Sequence, residues 1–265
     1  MVSASASFRG PQYYDRLGPL WLDSFAADLV QRLPERPPGE VLEIACGTGI
    51  VTRRLRERLS PSLRLVASDL SKTMLDYARA RLDGRMGIEW READALKLPF
   101  EDDSFGAVVC GFGLMFAPDR QAALAESRRA LVKGGILLFN VWDRIEENRH
   151  ALVNAEVLEA LFPGDREMKY RFPYEMNDPG LLRRLLASAR FRETRIETKR
   201  IPLEPADPRS IATGQIRGTP RSALLEERGV SLDLVIDQLT EALAKAGGNP
   251  YRGHAQAVIV QAQAI

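Results

Sequence analysis

The chain has 265 residues, 45% hydrophobic and 28% charged, with a formal net charge of +1. That is the make-up of a folded globular chain, long enough for one α/β domain with an elaboration, and its even charge balance offers nothing to nucleic acid or to an anionic membrane surface. Two cysteines, Cys46 and Cys110, exclude a disulfide framework and form no C-x-x-C pair. A reducing compartment and no metal are therefore expected. The first twelve residues are small and polar, without the apolar core of a secretory signal. No apolar run reaches membrane-spanning length. A soluble, cytoplasmic protein is the expectation.

Residues 1–10 read as a loose arm. From Pro11, Tyr14, Leu17, Trp21, Phe25, Leu29 and Leu33 share one face of a helix that ends at Pro34 and Pro37-Pro38-Gly39. Tyr13 and Tyr14 either pack in the core or close over a ligand. Val41-Leu42-Glu43-Ile44 reads as a buried strand. It breaks at Gly47 and Gly49, and a helix follows over Ile50–Leu59. Arg64–Asp69 is a second strand, and Ser71 can cap a helix Lys72–Leu82. Ile88–Asp94 and Ala107–Gly113 are strands three and four. A helix Asp119–Leu131, a turn at Lys133-Gly134-Gly135 and a strand Ile136–Trp142 come next. Strands alternating with helices predict a parallel α/β sheet. Beyond Asp143 the pattern gives a helix Glu146–Phe162, a loop Asp165–Met176, a helix Pro179–Ala189 capped by Asp178, and a strand Arg192–Ile201. A mostly helical stretch 202–249 and a last strand Ala255–Ala264 complete the chain.

The strand–glycine–helix turn lets a ligand lie against bare main chain, with a helix N-terminus behind it. Glu43, Asp69 and Asp94 fall in or at the ends of the first three strands. In a parallel sheet such positions line one crevice, where ligands bind. An acid about twenty residues past the glycine turn is placed to accept from ribose hydroxyls. Singly, Asp94 reads as a turn residue.

Six pieces then arrive in order: Val41–Thr52; Val66-Ala67-Ser68-Asp69-Leu70-Ser71 with Met74; Glu92-Ala93-Asp94-Ala95 with Leu98-Pro99-Phe100; Ser104-Phe105; Phe112–Phe116; and Leu131–Gly135. Together they resemble the motifs of class I S-adenosylmethionine-dependent methyltransferases, and within these the small-molecule branch of ubiquinone and menaquinone type. The resemblance covers about residues 40–142. It implies a Rossmann-like, seven-stranded, mostly parallel sheet with an antiparallel last strand, helices on both faces and a helical cap insert. It implies S-adenosylmethionine as cofactor and S-adenosylhomocysteine as product. Gly47 and Gly49, with Ala45 and Thr48, would pass under the methionine part, and Glu43 would sit near its amino group. Asp69 would hold the ribose diol, with Leu70 and Met74 against the adenosine. Asp94 would accept from the adenine amino group, and the Ala95 N–H would meet the ring. Gly111 and Phe112 would flank the sulfonium end, and Tyr14 would close over the cofactor. Two positions depart from the pattern: Ala45, where many members have glycine, and Gly106, where many have aspartate.

Three regions follow from this reading. Residues 1–39 form an arm and lid helix, 40–143 the cofactor core, and 144–265 complete the sheet with acceptor-binding insertions at about 144–176 and 202–254. A sulfonium methyl is already activated, so a general base is needed only for an acceptor that keeps its proton. His150 and Asp143 are the weak candidates for such a base; His150 otherwise reads as a solvated helix residue, and His254 as structural. Tyr170, Arg171, Phe172, Tyr174 and Met176 form one candidate acceptor cluster, and Gln215, Arg217 and Thr219 another. Arginine there would suit an acceptor carboxylate.

Rival readings exist. A nucleotide-dependent oxidoreductase would want a third glycine where Thr52 stands. Nucleic-acid amino-methylating members carry an Asn/Asp-Pro-Pro-aromatic box, where this chain has Gly111-Phe112-Gly113-Leu114. A non-catalytic cofactor-binding protein acting through a partner keeps every binding feature. The expected partners are a small-molecule acceptor and no nucleic acid, with the chain a monomer or homodimer.

Overall fold

A computed structural model describes residues 10–82, 87–165, 167–168 and 170–265. The expected arm lies, apart from Gly10, outside the described residues, as do Arg166 and Lys169 of the loop expected over 165–176.

The N-terminal helix is not one regular cylinder. Helix α1 (Pro11–Tyr14) passes through a tight turn and a wide, π-helical stretch Gly18–Leu22 before α2 (Asp23–Gln31). Pro19 has no N–H to give and crowds the preceding turn, so a regular ladder cannot cross it. The apolar stripe still works: Leu17, Trp21, Phe25, Leu29 and Leu33 are buried.

Next come β1 (Val41–Glu43), α3 (Ile50–Arg58), β2 (Leu65–Asp69), α4 (Lys72–Leu82), β3 (Ile88–Glu92), β4 (Phe105–Gly111), α5 (Arg120–Ala130) and β5 (Leu131–Trp142). The Ser71 hydroxyl accepts from Met74 N, as its sequence position required. Two of the limits that differ from the sequence pattern bear on the site. Strand β3 stops at Glu92, so Asp94 lies in a loop. Strand β5 starts at Leu131 and absorbs the expected Gly134 turn as an irregularity against β4. Then follow α6 (Arg149–Leu161), α7 (Pro179–Ser188), β6 (Phe191–Pro202), α8 (Pro208–Arg217), α9 (Arg221–Glu227), α10 (Leu232–Gly247) and β7 (His254–Ala264). Asp178 caps α7 by accepting from Gly180 N and Leu181 N.

The seven strands are ordered β3-β2-β1-β4-β5-β7-β6, and β7 is antiparallel to both of its neighbours. Winding therefore proceeds one way from β1 through β2 to β3, and the other way through β4 to β5. With right-handed crossovers this puts α3 and α4 on one face and α5 on the other. Helix α2 packs with α3, and α7 packs with α5. The order reverses between β1 and β4, which opens a crevice at their C-terminal ends. Helices α8 and α10 rise above the sheet, against α6 and the N-terminal segment. Among the described residues no helix is long and apolar enough to cross a membrane.

Both departures from the family pattern have a cause here. At Gly106 an added Cβ would lie 2.1 Å from the Gly39 backbone nitrogen, so the approach of the Pro38-Gly39 segment excludes any side chain. Gly106→Ala is expected to destabilise the fold by about 1–3 kcal/mol through overpacking, read from the urea midpoint. Ala45 is left-handed, at φ 53°, where a Cβ is strained. Glycine is the natural occupant there, and alanine keeps the same turn at a cost.

Candidate functional site

The glycine turn and the acids meet at the switch point. Gly47 N donates to Asp69 Oδ2 at 2.8 Å, and Ser71 N donates to Asp69 Oδ1 at 2.8 Å. One carboxylate thus ties the end of β1 to the end of β2. Cys46 N donates to Ser68 O and Ala93 N to Asp69 O, lacing the three loops together. Each carboxylate oxygen keeps a further lone pair for a ligand. Burial pushes the Asp69 carboxyl above its usual range, opposed by the Ser71, Gly47 and Leu70 N–H groups.

Glu43 is 1% exposed, and its Oε2 has no hydrogen-bond partner. Burial pushes its carboxyl up to about 8. The buried Thr48 hydroxyl is likewise unpartnered. Gly47 (φ 56°) and Gly49 (φ 81°) are left-handed, and a Cβ on Gly47 would meet nothing within 4 Å. The turn therefore presents bare main chain to open space, beside a buried acid that is held by Thr52 and keeps one oxygen without a partner, suited to an ammonium. These features fit the amino-acid portion of S-adenosylmethionine.

At the rim, Leu70 is 46% exposed, which for a leucine leaves an uncovered apolar contact, and Met74 is buried below it. Asp94 is exposed, with Oδ1 accepting from Leu96 N at 2.9 Å; Ala95 lies within that turn. Its turn role is thus realised, alongside a position next to the laced loops.

The other edge of the crevice is Gly111-Phe112. Phe112 is left-handed (φ 55°), and its N–H donates to the Asn140 side-chain oxygen at 2.9 Å. A non-glycine residue held in this region marks local strain fixed by its surroundings. Phe112 stacks on Trp142 with centroids 4.0 Å apart. Trp142 is one wall of a cavity of about 90 Å³, shared by Tyr14, Trp21, His150, Tyr170, Tyr174 and Arg221. Tyr14 bridges the two regions. Burial first, then the charges of Tyr170, Asp69 and Asp15, hold its phenol well above the ordinary range. Tyr13 instead packs under Arg16 and Arg217.

Several sequence-based expectations are corrected. His150 is not solvated: it is 2% exposed, lies 4.5 Å from the Trp21 ring and lines the cavity. Burial pulls its imidazole down to about 3, so the ring is neutral near pH 7. Asp143 is outside the cavity lining; its side chain accepts from Gln256 Nε2 and Arg144 N. Arg171 turns to Glu159 and Arg217 to Asp233, so neither lines the cavity. Their neighbours do: Tyr170 and Tyr174 on one side, Gln215 and Thr219 on the other. His254 sits at the start of β7 beside Arg200.

Two residues escaped sequence reasoning. Asn140 was signalled by being the one polar residue in the apolar run Ile136–Trp142. Arg221 had no comparable signal. It is 4% exposed, its guanidinium lies 3.7 Å from the Tyr170 ring centroid, and Nη1 donates to Asn154 Oδ1 at 3.1 Å.

A parallel sheet wound both ways from β1, a reversed β7 and a glycine turn laced to strand-end acids define the class I methyltransferase fold. Residues 42–139 match the family described as "Methyltransferase domain". The chain is 40% identical over 119 residues to a demethylmenaquinone methyltransferase of Deinococcus radiodurans, covering 44% of this chain and 47% of the relative. It is 41% identical over 133 residues to a demethylmenaquinone methyltransferase of Thermus thermophilus, covering 47% and 59%. The match thus spans about half the length of these curated relatives. The solved structure of geranyl diphosphate methyltransferase in complex with SAM matches 92% of this chain and 85% of its own, at TM-score 0.52 and 15% identity.

Proposed function

We propose that this protein transfers the methyl group of S-adenosylmethionine to a small-molecule acceptor by in-line displacement. One observation carries the reading: the glycine-turn crevice and the aromatic cavity share a wall, the Phe112–Trp142 stack. When bound, S-adenosylmethionine supplies a methyl on a sulfonium whose leaving group is a neutral thioether. Gly47, Gly49, Glu43 and Asp69 hold the cofactor, Leu70 and Met74 cover its adenosine, and Asp94 and Ala95 meet the adenine. The insertions at 144–176 and 202–254 wall the acceptor. Holding two reactants in line can supply ~7–11 kcal/mol of barrier reduction, which is what a rigid aromatic wall provides. His150, neutral and facing the cavity, is a hydrogen-bond partner for the acceptor. The protein acts in the cytoplasm, as a monomer or homodimer.

The test is calorimetric titration with S-adenosylmethionine, S-adenosylhomocysteine and NADH, followed by an assay of S-adenosylhomocysteine formation over an acceptor panel that includes a demethylmenaquinol. Micromolar binding of the first two, no binding of NADH, and turnover with one acceptor are expected. Binding of NADH alone would hand the crevice to a dinucleotide. Tight cofactor binding without turnover on any acceptor would make the chain a cofactor-binding protein.

A further inference from the structure

The cavity beside Trp142 contains a buried cation with no described acid to balance it. Arg221 hydrogen-bonds to the neutral Asn154 and to the neutral Tyr170, over whose ring it lies, and its Nε has no partner. The titratable groups lining the cavity with it are Tyr14, His150, Tyr170 and Tyr174, and none is a carboxylate. Burial pulls the Arg221 guanidinium below its ordinary range, opposed by the Tyr170 and Tyr174 phenols. A buried charge without a counter-charge is costly, and chains keep one where something brings the opposite charge.

Two further residues of the same lining carry orphaned atoms. His150 Nδ1 and Gln215 Oε1 are buried without hydrogen-bond partners. Gln215 Nε2 donates to the His150 carbonyl, which leaves Oε1 as an acceptor waiting for a donor. Three elements, α6, α8 and α9, thus each contribute to the lining of one largely apolar, aromatic pocket a residue that carries an unsatisfied buried polar atom. Buried polar groups in native proteins are ordinarily paired, so three together mark a ligand's complement. The arginine asks for an anion and the glutamine for an O–H or N–H.

We propose that the acceptor is a small carboxylic acid carrying a hydroxyl or amino group, with its carboxylate on Arg221 and its donor group at Gln215 and His150. This rests on the acceptor site assigned above. One guanidinium balances one negative charge, which favours a carboxylate over a phosphate dianion. The planar fork of arginine also suits a carboxylate in two-point contact.

The experiment measures binding of paired probes to the full chain loaded with S-adenosylhomocysteine, by calorimetry and by fluorescence of Trp21 and Trp142. The pairs are lactate with lactamide, alanine with alaninamide and 4-hydroxybenzoate with 4-hydroxybenzamide; phenyl phosphate is the dianionic control. At least one acid is expected to bind about ten-fold or more tightly than its amide, the scale of a charge-assisted hydrogen bond. Arg221→Met should bring that ratio to about one, and Arg221→Lys should keep part of it. Arg221→Met should retain S-adenosylhomocysteine affinity and melt no lower than wild type, since it removes an unbalanced buried charge; a merely structural arginine would lower the melting temperature. Acids that bind no better than their amides, acid binding that survives Arg221→Met, or a preference for phenyl phosphate each overturn the proposal. If wild type fails to bind S-adenosylhomocysteine yet discriminates acids from amides, the methyl-transfer reading falls and the anion site stands.

Discussion

Asp69→Ala should weaken S-adenosylhomocysteine binding about 100-fold or more, roughly 3 kcal/mol, in a calorimetric titration at pH 7.5. Two effects combine. The carboxylate is the proposed acceptor for the ribose diol, and hydrogen bonds to a charged group contribute about 1.5–3 kcal/mol. The same carboxylate accepts from Gly47 N and Ser71 N, holding the end of β1 against the end of β2. Its loss frees the turn that forms the floor of the crevice, so a pre-shaped surface has to be ordered on binding. Asp69→Asn separates the two parts. An amide fills the same space and keeps an acceptor oxygen for one N–H, but it carries no charge. Its affinity should fall between wild type and alanine. Wild-type affinity in the alanine variant would remove Asp69 from the cofactor site altogether.

How much of this was legible beforehand divides by range. Asp69, Glu43 and the Gly47/Gly49 turn are read from local pattern, because strand ends and glycine breaks are set within a few residues and a parallel sheet aligns them at one edge. Asp94 belongs to the same logic, displaced two residues into a loop by the early end of β3. The acceptor side was not local. Tyr170 and Arg171 are adjacent, yet one lines the cavity and the other pairs with Glu159. Arg217 and Arg221 are one helical turn's distance apart in sequence, but they lie on different helices: the first reaches Asp233 and the second reaches Asn154 on α6. Helical spacing assigns a face to a residue and says nothing about which way an insert docks. That is settled by contacts more than sixty residues apart, such as Gln215 to the His150 carbonyl. Asp143 was lost for the same reason, claimed by Gln256 arriving on β7.

Glu43 gives the sharpest pH-dependent expectation. In the ligand-free protein burial pushes its carboxyl up to about 8, against an unfolded value near 4.5. Between those values the folded chain binds a proton that the unfolded chain does not, so stability falls as pH rises from about 4.5 through 8. The full loss is of order 3–5 kcal/mol. Glu43→Gln removes this dependence and should be more stable than wild type at pH 8.5, with the gap closing by pH 4.5; this is read from urea midpoints. Ligand binding inverts the balance. At pH 6.5 the α-amino group of S-adenosylhomocysteine is protonated, and an ammonium beside Glu43 favours the ionised carboxylate. Binding should then release close to one proton to solvent, seen as a calorimetric enthalpy that changes with the ionisation enthalpy of the buffer. In Glu43→Gln that buffer dependence should vanish and affinity should drop about ten-fold or more, the scale of a lost charge-assisted hydrogen bond. A wild-type enthalpy that is the same in phosphate and Tris would mean that Glu43 stays protonated and donates to the ligand. The amino-group assignment would then be wrong, while the stability difference at pH 8.5 would persist. The two readouts separate what Glu43 does for the fold from what it is proposed to do for the ligand: its buried, unpartnered oxygen costs stability in the ligand-free protein, and a bound ammonium is expected to recover it.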